Sequence, residues 1–237
     1  MKTTTTTGLL LAILGLAGAQ CTSVAQEGEW IDLFDGQTLN GWSIHSGQAR
    51  YRVEDGAIVG TAVKGSPNTF LCTDREFGDF ILEFEVLLED NELNSGVQFR
   101  SQVAPHDMTF WFRDGEGHYR ERTIPEDRVY GYQVEISARS SGGAGGVYDE
   151  ARRAMMPWWP ENGSEESKIF KDGEWNSYRV ECRGDHIRTM VNDMVIEDFR
   201  DGLTLMGIIG LQVHDVGNDP TPYRVRWRNI RLLLLDN

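Results

Sequence analysis

Short alternations of apolar and polar residues run along most of this chain, with turn signals between them. Tyr51-Arg52-Val53-Glu54, Asp55-Gly56 and Ala57-Ile58-Val59-Gly60 read together as a hairpin closed by a tight Asp-Gly turn. Residues 80–87 read as a long strand that ends in a polar turn at 89–94. Asn176–Arg183 and His186–Val191 flank Gly184-Asp185 as a second hairpin, and Asn192-Asp193 turns the chain into a strand at 194–199. Residues 208–214 and 223–235 supply the last strands. Few segments carry a 3.6-residue apolar period, so the pattern predicts an all-β sandwich or barrel.

Three of these segments share a finer pattern. Gly96-Val97-Gln98-Phe99-Arg100, Tyr132-Gln133-Val134-Glu135-Ile136 and Ile209-Gly210-Leu211-Gln212-Val213-His214 each place two polar side chains two residues apart in an apolar or small run. Residues i and i+2 of a strand point to one face, so each pair faces away from Val97, Phe99, Val134, Ile136, Leu211 and Val213. In one sheet, Gln98, Arg100, Gln133, Glu135, Gln212 and His214 would form a polar floor suited to proton transfer on a polar ligand. An antiparallel sheet wetted on one side alternates in the same way, so the pattern alone leaves both readings open.

The chain has 237 residues, of which 40% are hydrophobic. Lys2, a threonine run and an apolar stretch at 8–19 read as a secretory signal peptide over residues 1–25, too short to span a bilayer as a helix. Cleavage fits near residue 19 or residue 25, and Cys21 raises the alternative of a lipid-anchored bacterial lipoprotein. Residues 26–237 remain as one domain, with no internal repeat. A net charge of −14 repels phosphate backbones, which argues against a nucleic-acid partner. Cys72 and Cys182 lie in strand-like segments, where they form either a disulfide after export or two buried thiols.

Two stretches, 101–129 and 137–171, break the strand rhythm, and each directly follows one of the three strands above. Long loops in a compact domain are usually functional or disordered. The second opens with a glycine-rich run at 140–146, then brings Tyr148 and Asp149, where Asp149 is either a site residue or a cap for the turn after it. Arg152 and Arg153 read as salt-bridged surface residues. Trp158 and Trp159 offer flat faces for stacking a sugar, or for core packing, and Phe110-Trp111-Phe112 reads as packing. Glu83 and Glu85 read as a solvated outer face. His45, His106, His118 and His186 lack metal-site spacing, and a Glu–His pair binding a divalent cation stays open as a minor alternative.

Seven motifs in order carry a resemblance. They are Leu33-Phe34-Asp35-Gly36-Gln37-Thr38-Leu39-Asn40-Gly41-Trp42, Asn94-Ser95-Gly96-Val97-Gln98-Phe99-Arg100-Ser101 and Gly131-Tyr132-Gln133-Val134-Glu135-Ile136, followed by Gly146-Val147-Tyr148-Asp149-Glu150 with Arg152-Arg153. Gly173-Glu174-Trp175-Asn176, then 207–214, and Arg228-Asn229-Ile230-Arg231 complete the series. From Trp30 to Leu235 the chain resembles the 3-keto-disaccharide hydrolase (3-keto-glycoside hydrolase) family, formerly domain of unknown function 1080. The resemblance implies a concanavalin A-like jelly-roll sandwich of two antiparallel sheets, with a site on the concave polar face. It also implies location in the bacterial periplasm or outer cell envelope.

The activity so implied is hydrolysis of 3-keto-glycosides, oxidised disaccharides or glucosides. A base removes the proton at C2, which the ketone acidifies, the enolate expels the C1 substituent, and water adds to the enone. This route needs a base, an acid for the leaving oxygen and a group to hold the enolate. Glu135 and His214 are the first candidates for proton transfer, Tyr148 for donation to the leaving oxygen and Asp149 for orienting an arginine or histidine. Arg100 suits the oxyanion, with Gln98, Gln133, Gln212, Trp158 and Trp159 as substrate-binding residues. A non-catalytic sugar-binding module of the same fold is the alternative from another class. A conventional glycoside hydrolase needs two carboxylates, and the run Glu-x-Asp-x-x-Glu of laminarinase-type enzymes does not occur.

Overall fold

The computed structural model describes residues 28–114, 116–139 and 142–235. The expected signal peptide, its cleavage positions, Cys21 and the first two residues of the glycine-rich run lie outside them. Sixteen strands run in order: β1 Trp30–Asp32, β2 Trp42–His45, β3 Arg50–Glu54, β4 Ala57–Thr61, β5 Thr69–Thr73, β6 Phe80–Leu88, β7 Ser95–Val103 and β8 Met108–Arg113. Then come β9 Tyr119–Ile124, β10 Val129–Ile136, β11 Val147–Glu150, β12 Asn176–Arg183, β13 His186–Val191, β14 Met194–Arg200, β15 Ile208–Val213 and β16 Arg224–Leu234, the count being that of the described residues. The expected hairpins are present as β3–β4 and β12–β13.

One sheet has the strand order β14-β13-β12-β6-β16-β4-β3, with β1 on β16, and the other has the order β11-β10-β7-β15-β5-β2. Every strand pair is antiparallel. This is the two-sheet jelly-roll sandwich of the concanavalin A-like type. The core lies between the sheets: Leu82, Phe84, Val180 and Trp227 from one meet Val97, Phe99, Val134 and Leu211 from the other. Among the described residues no helix is long and apolar enough to cross a membrane.

The stretch at 101–129 is not a loop throughout. It holds β8 and β9, which form a separate two-stranded arm because Phe110 and Phe112 alternate with exposed Trp111 along a strand. The stretch at 137–171 contributes the short β11 and a single 3₁₀ turn at Glu166–Lys168. Glu83 and Glu85 lie on the outer face of the larger sheet, as expected, where Arg179, Arg231 and Arg228 neutralise them.

Cys72 and Cys182 are free thiols. Cys182 faces the core between the sheets, whereas Cys72 shares the opposite face of its own sheet with Phe70 and Ile208, so the two side chains are kept apart.

Candidate functional site

The polar side chains on the outer face of the six-stranded sheet are largely withdrawn from solvent. Gln98, Gln133, Glu135 and Gln212 are all buried, which a sheet face open to water does not produce. Cross-strand register sets them in rows. Tyr148 on β11 opposes Gln133, which opposes Gln98, while Glu135 opposes Gly96 in the next row. Gly96 leaves the space that the Gln133 side chain occupies, since a Cβ there would lie 2.4 Å from Gln133 Cδ.

Burying this many polar groups requires partners, and most have them. Ser101 Oγ donates to Gln98 Oε1 at 2.7 Å, and Gln98 Nε2 donates to Gln133 Oε1 at 2.6 Å. Gln133 Nε2 in turn donates to Glu135 Oε2 at 3.1 Å, and Asn94 Nδ2 donates to Glu135 Oε1 at 2.8 Å. Glu135 therefore sits at the end of a chain of aligned amides. Burial nevertheless pushes its carboxyl up to about 8, the charge of Glu150 adding to the effect while Gln133 and Asn94 oppose it.

Glu135 lies in the wall of a cleft of about 790 Å³, in the size range of small-molecule sites. Gln133, Tyr148, Trp159, Gln212 and His214 line the same cleft. Both amide atoms of Gln212 are buried without a partner, as is Asn94 Oδ1. Unpaired buried amides at a cleft wall are what a hydroxyl-bearing ligand would satisfy. His214 Nδ1 lies 2.7 Å from the carbonyl of Asp215; a carbonyl only accepts, so Nδ1 carries the proton and Nε2 of the neutral ring is the basic atom.

Three expected site residues, one of them a member of the floor, are elsewhere. Arg100 is fully buried, with Nε on the Gly78 carbonyl at 2.8 Å, Nη1 on the Gly184 carbonyl at 2.6 Å and Nη2 on Asp79 at 2.7 Å. Its backbone has φ of 46°, and the pairing of β7 with both β10 and β15 shifts register around it. That bulge breaks the two-residue period and sends the guanidinium to tie the sandwich together. Asp149 opposes Tyr132, not Gln133, and is fully buried against Arg152 and Arg153. Its neighbours are thus part of a buried ion cluster and not the exposed surface pairs expected, and Asp201 completes it by bonding Arg153 and Tyr132. Trp158 stacks on Phe199 with ring centroids 3.8 Å apart, whereas the adjacent Trp159 faces the cleft over Gly143 and Gly146.

Sequence reasoning missed Glu150, Arg128 and Asn94. Glu150 is two residues from Tyr148 on the same strand, so the rule that picked Gln133 and Glu135 also places it on the cleft face. Arg128 Nη2 bonds Glu150, supplying the cation assigned to Arg100, but it sits just before β10 in a segment without a periodic signal. Burial raises the Glu150 carboxyl, against the opposing charges of Arg128 and His214. Burial likewise raises the Tyr148 phenol, so Tyr148 is a neutral donor near pH 7.

Among the described residues, the metal-competent side chains that converge are Asp114, Glu116 and His118, at the exposed turn of the β8–β9 arm. Asp114 is already engaged there by two backbone amides and Arg120.

The fold and site define a β-sandwich protein with a polar, partly unsatisfied cleft on one sheet. The chain matches the 3-keto-alpha-glucoside-1,2-lyase-like domain family over residues 29–233 and belongs to that family. Its fold is similar to that of a candidate glycosyl hydrolase from Parabacteroides distasonis, at 18% identity and a TM-score of 0.52, covering 89% of this chain and 95% of that one. It is also similar to the carbohydrate-binding module CBM66 of Bacillus subtilis, at 15% identity and a TM-score of 0.53, covering 81% and 94%. A Bacillus subtilis protein of unknown function with a galectin-like fold matches at 11% identity and a TM-score of 0.53, covering 82% and 90%. No curated protein matches.

Proposed function

We propose that the protein cleaves 3-keto-glycosides by elimination across C1–C2 followed by hydration. The observation that carries the reading is Glu135, a carboxyl held protonated near neutral pH in the wall of a cleft beside the unpartnered Gln212. In this scheme His214 Nε2 takes the proton from C2 and the electron pair moves into the ketone as an enolate. The enolate re-forms the carbonyl and expels the C1 oxygen, which takes a proton from Glu135. Water then adds across the enone, its hydroxyl to C1 and a proton to C2, giving the free 3-keto sugar. Arg128 and Gln212 are the cleft groups suited to the enolate oxygen. Membership of the family supports this chemistry, and an exported protein meeting oxidised sugars in the bacterial envelope fits the N-terminal segment.

The test is incubation with a 3-keto-glucoside in deuterated water. Released 3-keto-glucose carrying deuterium at C2, with turnover lost in Glu135→Gln, supports the scheme. Release without deuterium at C2 rules out elimination.

A second reading has its own observation. Glu150 borders the same cleft as Glu135, and two carboxylates are what a conventional glycoside hydrolase needs. Cleavage of an unoxidised glycoside, with the 3-keto form left intact, would favour it. Sugar binding with no turnover of either substrate would favour a carbohydrate-binding module.

A further inference from the structure

The loop at 201–207, which leads from β14 into β15, is inverted in polarity. Its hydroxyl side chain, Thr204, turns inward and accepts from Arg152 Nη1 at 3.0 Å, while Leu203, Leu205 and Met206 project outward at 45%, 50% and 55% exposure. The loop is pinned along its length. The Asp201 N–H donates to the Asp185 carbonyl at 2.9 Å, Gln102 Nε2 donates to the Met206 carbonyl at 3.0 Å, and Phe77 and Gly207 exchange both backbone bonds. Leu234, 39% exposed, stands at the same end: it pairs with Phe80 at the start of β6, and Gly78 just before that strand approaches the Leu205 carbonyl. Exposed apolar side chains gathered in one place mark an interaction surface, where scattered ones do not. We infer that this end of the sandwich docks on a phospholipid bilayer, with Leu203, Leu205 and Met206 entering the boundary between headgroups and acyl chains. The inference does not rest on the chemistry proposed for the cleft.

Several relations favour a bilayer over another protein. Gly28 packs on the end of β16, where a Cβ would lie 2.7 Å from Leu233 Cδ1, so residues 1–27 join the domain at this same end. An acyl chain on Cys21 would be tethered within about 25 Å of Gly28, the reach of seven extended residues. The segments that hold the loop expose Arg75, Arg183 and Arg200 beside Asp74, Glu76 and Asp185, an even balance on a chain of net charge −14. This end therefore meets anionic headgroups without the repulsion that the chain as a whole would feel. Three side chains about half exposed fall far short of the roughly 800 Å² per partner that a stable protein interface takes. Insertion to about 5–10 Å needs only side chains that project. The site is also placed for it: β15 starts beside the loop at Ile208 and ends at Val213, next to His214 in the cleft, about 17–20 Å away. Docking leaves the cleft in water.

The experiment attaches an environment-sensitive fluorophore (NBD) to Leu205→Cys in the chain purified after export, with Cys21→Ser so that no acyl chain anchors it. Cys72 and Cys182 are buried and do not take the label. Vesicles of phosphatidylethanolamine with phosphatidylglycerol should blue-shift the emission at 205 and raise it at least twofold. A label on Ser177→Cys, at the far end of β12 from Arg183, should not respond. A change at 205 no larger than that at 177 overturns the inference. A signal at 205 that rises with protein concentration in the absence of vesicles gives the loop to a second copy of the chain, and overturns it too. In flotation with the same vesicles, Leu203→Ser combined with Met206→Ser should lower the bound fraction at least threefold at an unchanged melting temperature. An unchanged bound fraction in that variant overturns the role of the loop.

Discussion

Gln133 and Glu135, two residues apart on one strand, share a hydrogen bond of 3.1 Å from the amide Nε2 to the carboxyl Oε2. An amide donor favours the ionised carboxylate, yet burial outweighs it and holds the Glu135 carboxyl up at about 8. The bond therefore fixes the position of an acid and does not ionise it.

The sign of the pH dependence follows. Between pH 4.5 and about 8 the folded protein keeps a proton on Glu135 that the unfolded chain has released. Stability from this group is thus fully present below 4.5 and falls as pH rises, by up to about 1.4 kcal/mol per pH unit, levelling off above 8. Glu135→Gln should flatten this slope in melting experiments from pH 5 to 9 and raise the melting temperature most at the alkaline end. An unchanged slope would contradict the raised value. Turnover by the protonated form should decline above about pH 8.

Gln212 bears a cost that a ligand would relieve. The residue is 1% exposed and both polar atoms of its amide lack partners. Gln212→Leu, close in volume, should stabilise the free protein by about 1 kcal/mol and weaken sugar binding at least tenfold. Urea unfolding and calorimetric titration check the two halves separately, and a destabilised variant would show that the amide is satisfied in solution.

Arg100 should act on folding and not on substrate affinity. Arg100→Met leaves Asp79 with the backbone N–H of Gly184 and strands the carbonyls of Gly78 and Gly184. A loss of about 3 kcal/mol is expected, with KM unchanged in the folded fraction. A raised KM at normal stability would return Arg100 to the substrate.

Gly143 supports the wall that Trp159 gives to the cleft. It has φ of +64°, and a Cβ would lie 2.0 Å from Trp159 Cε2. Gly143→Ala should displace the indole, destabilise the protein by about 1–3 kcal/mol and alter tryptophan fluorescence. An unchanged emission spectrum would show that the turn adapts instead.

The two-residue alternation and the turn residues Asp55-Gly56 and Gly184-Asp185 determined the all-β class, both hairpins and the assignment of Val97, Phe99, Val134 and Leu211 to the core side, because strand period and turn chemistry are local properties of the backbone. The alternation also placed Gln98, Gln133, Glu135 and Gln212 on the opposite face. How far that face is open to solvent is not local: the arm and the stretch after β10 supply Arg122, Pro125, Met156 and Trp159 to the walls of the cleft over it. The same holds for the charge of Glu135, which depends on burial and on Glu150, brought near by pairing of β10 with β11. Arg100 escaped its expected face because one bulge resets the period, and Arg128 took the place of the cleft cation from a segment with no period at all. Periodicity sets which way a side chain points; contacts between residues distant in the chain set what it meets there.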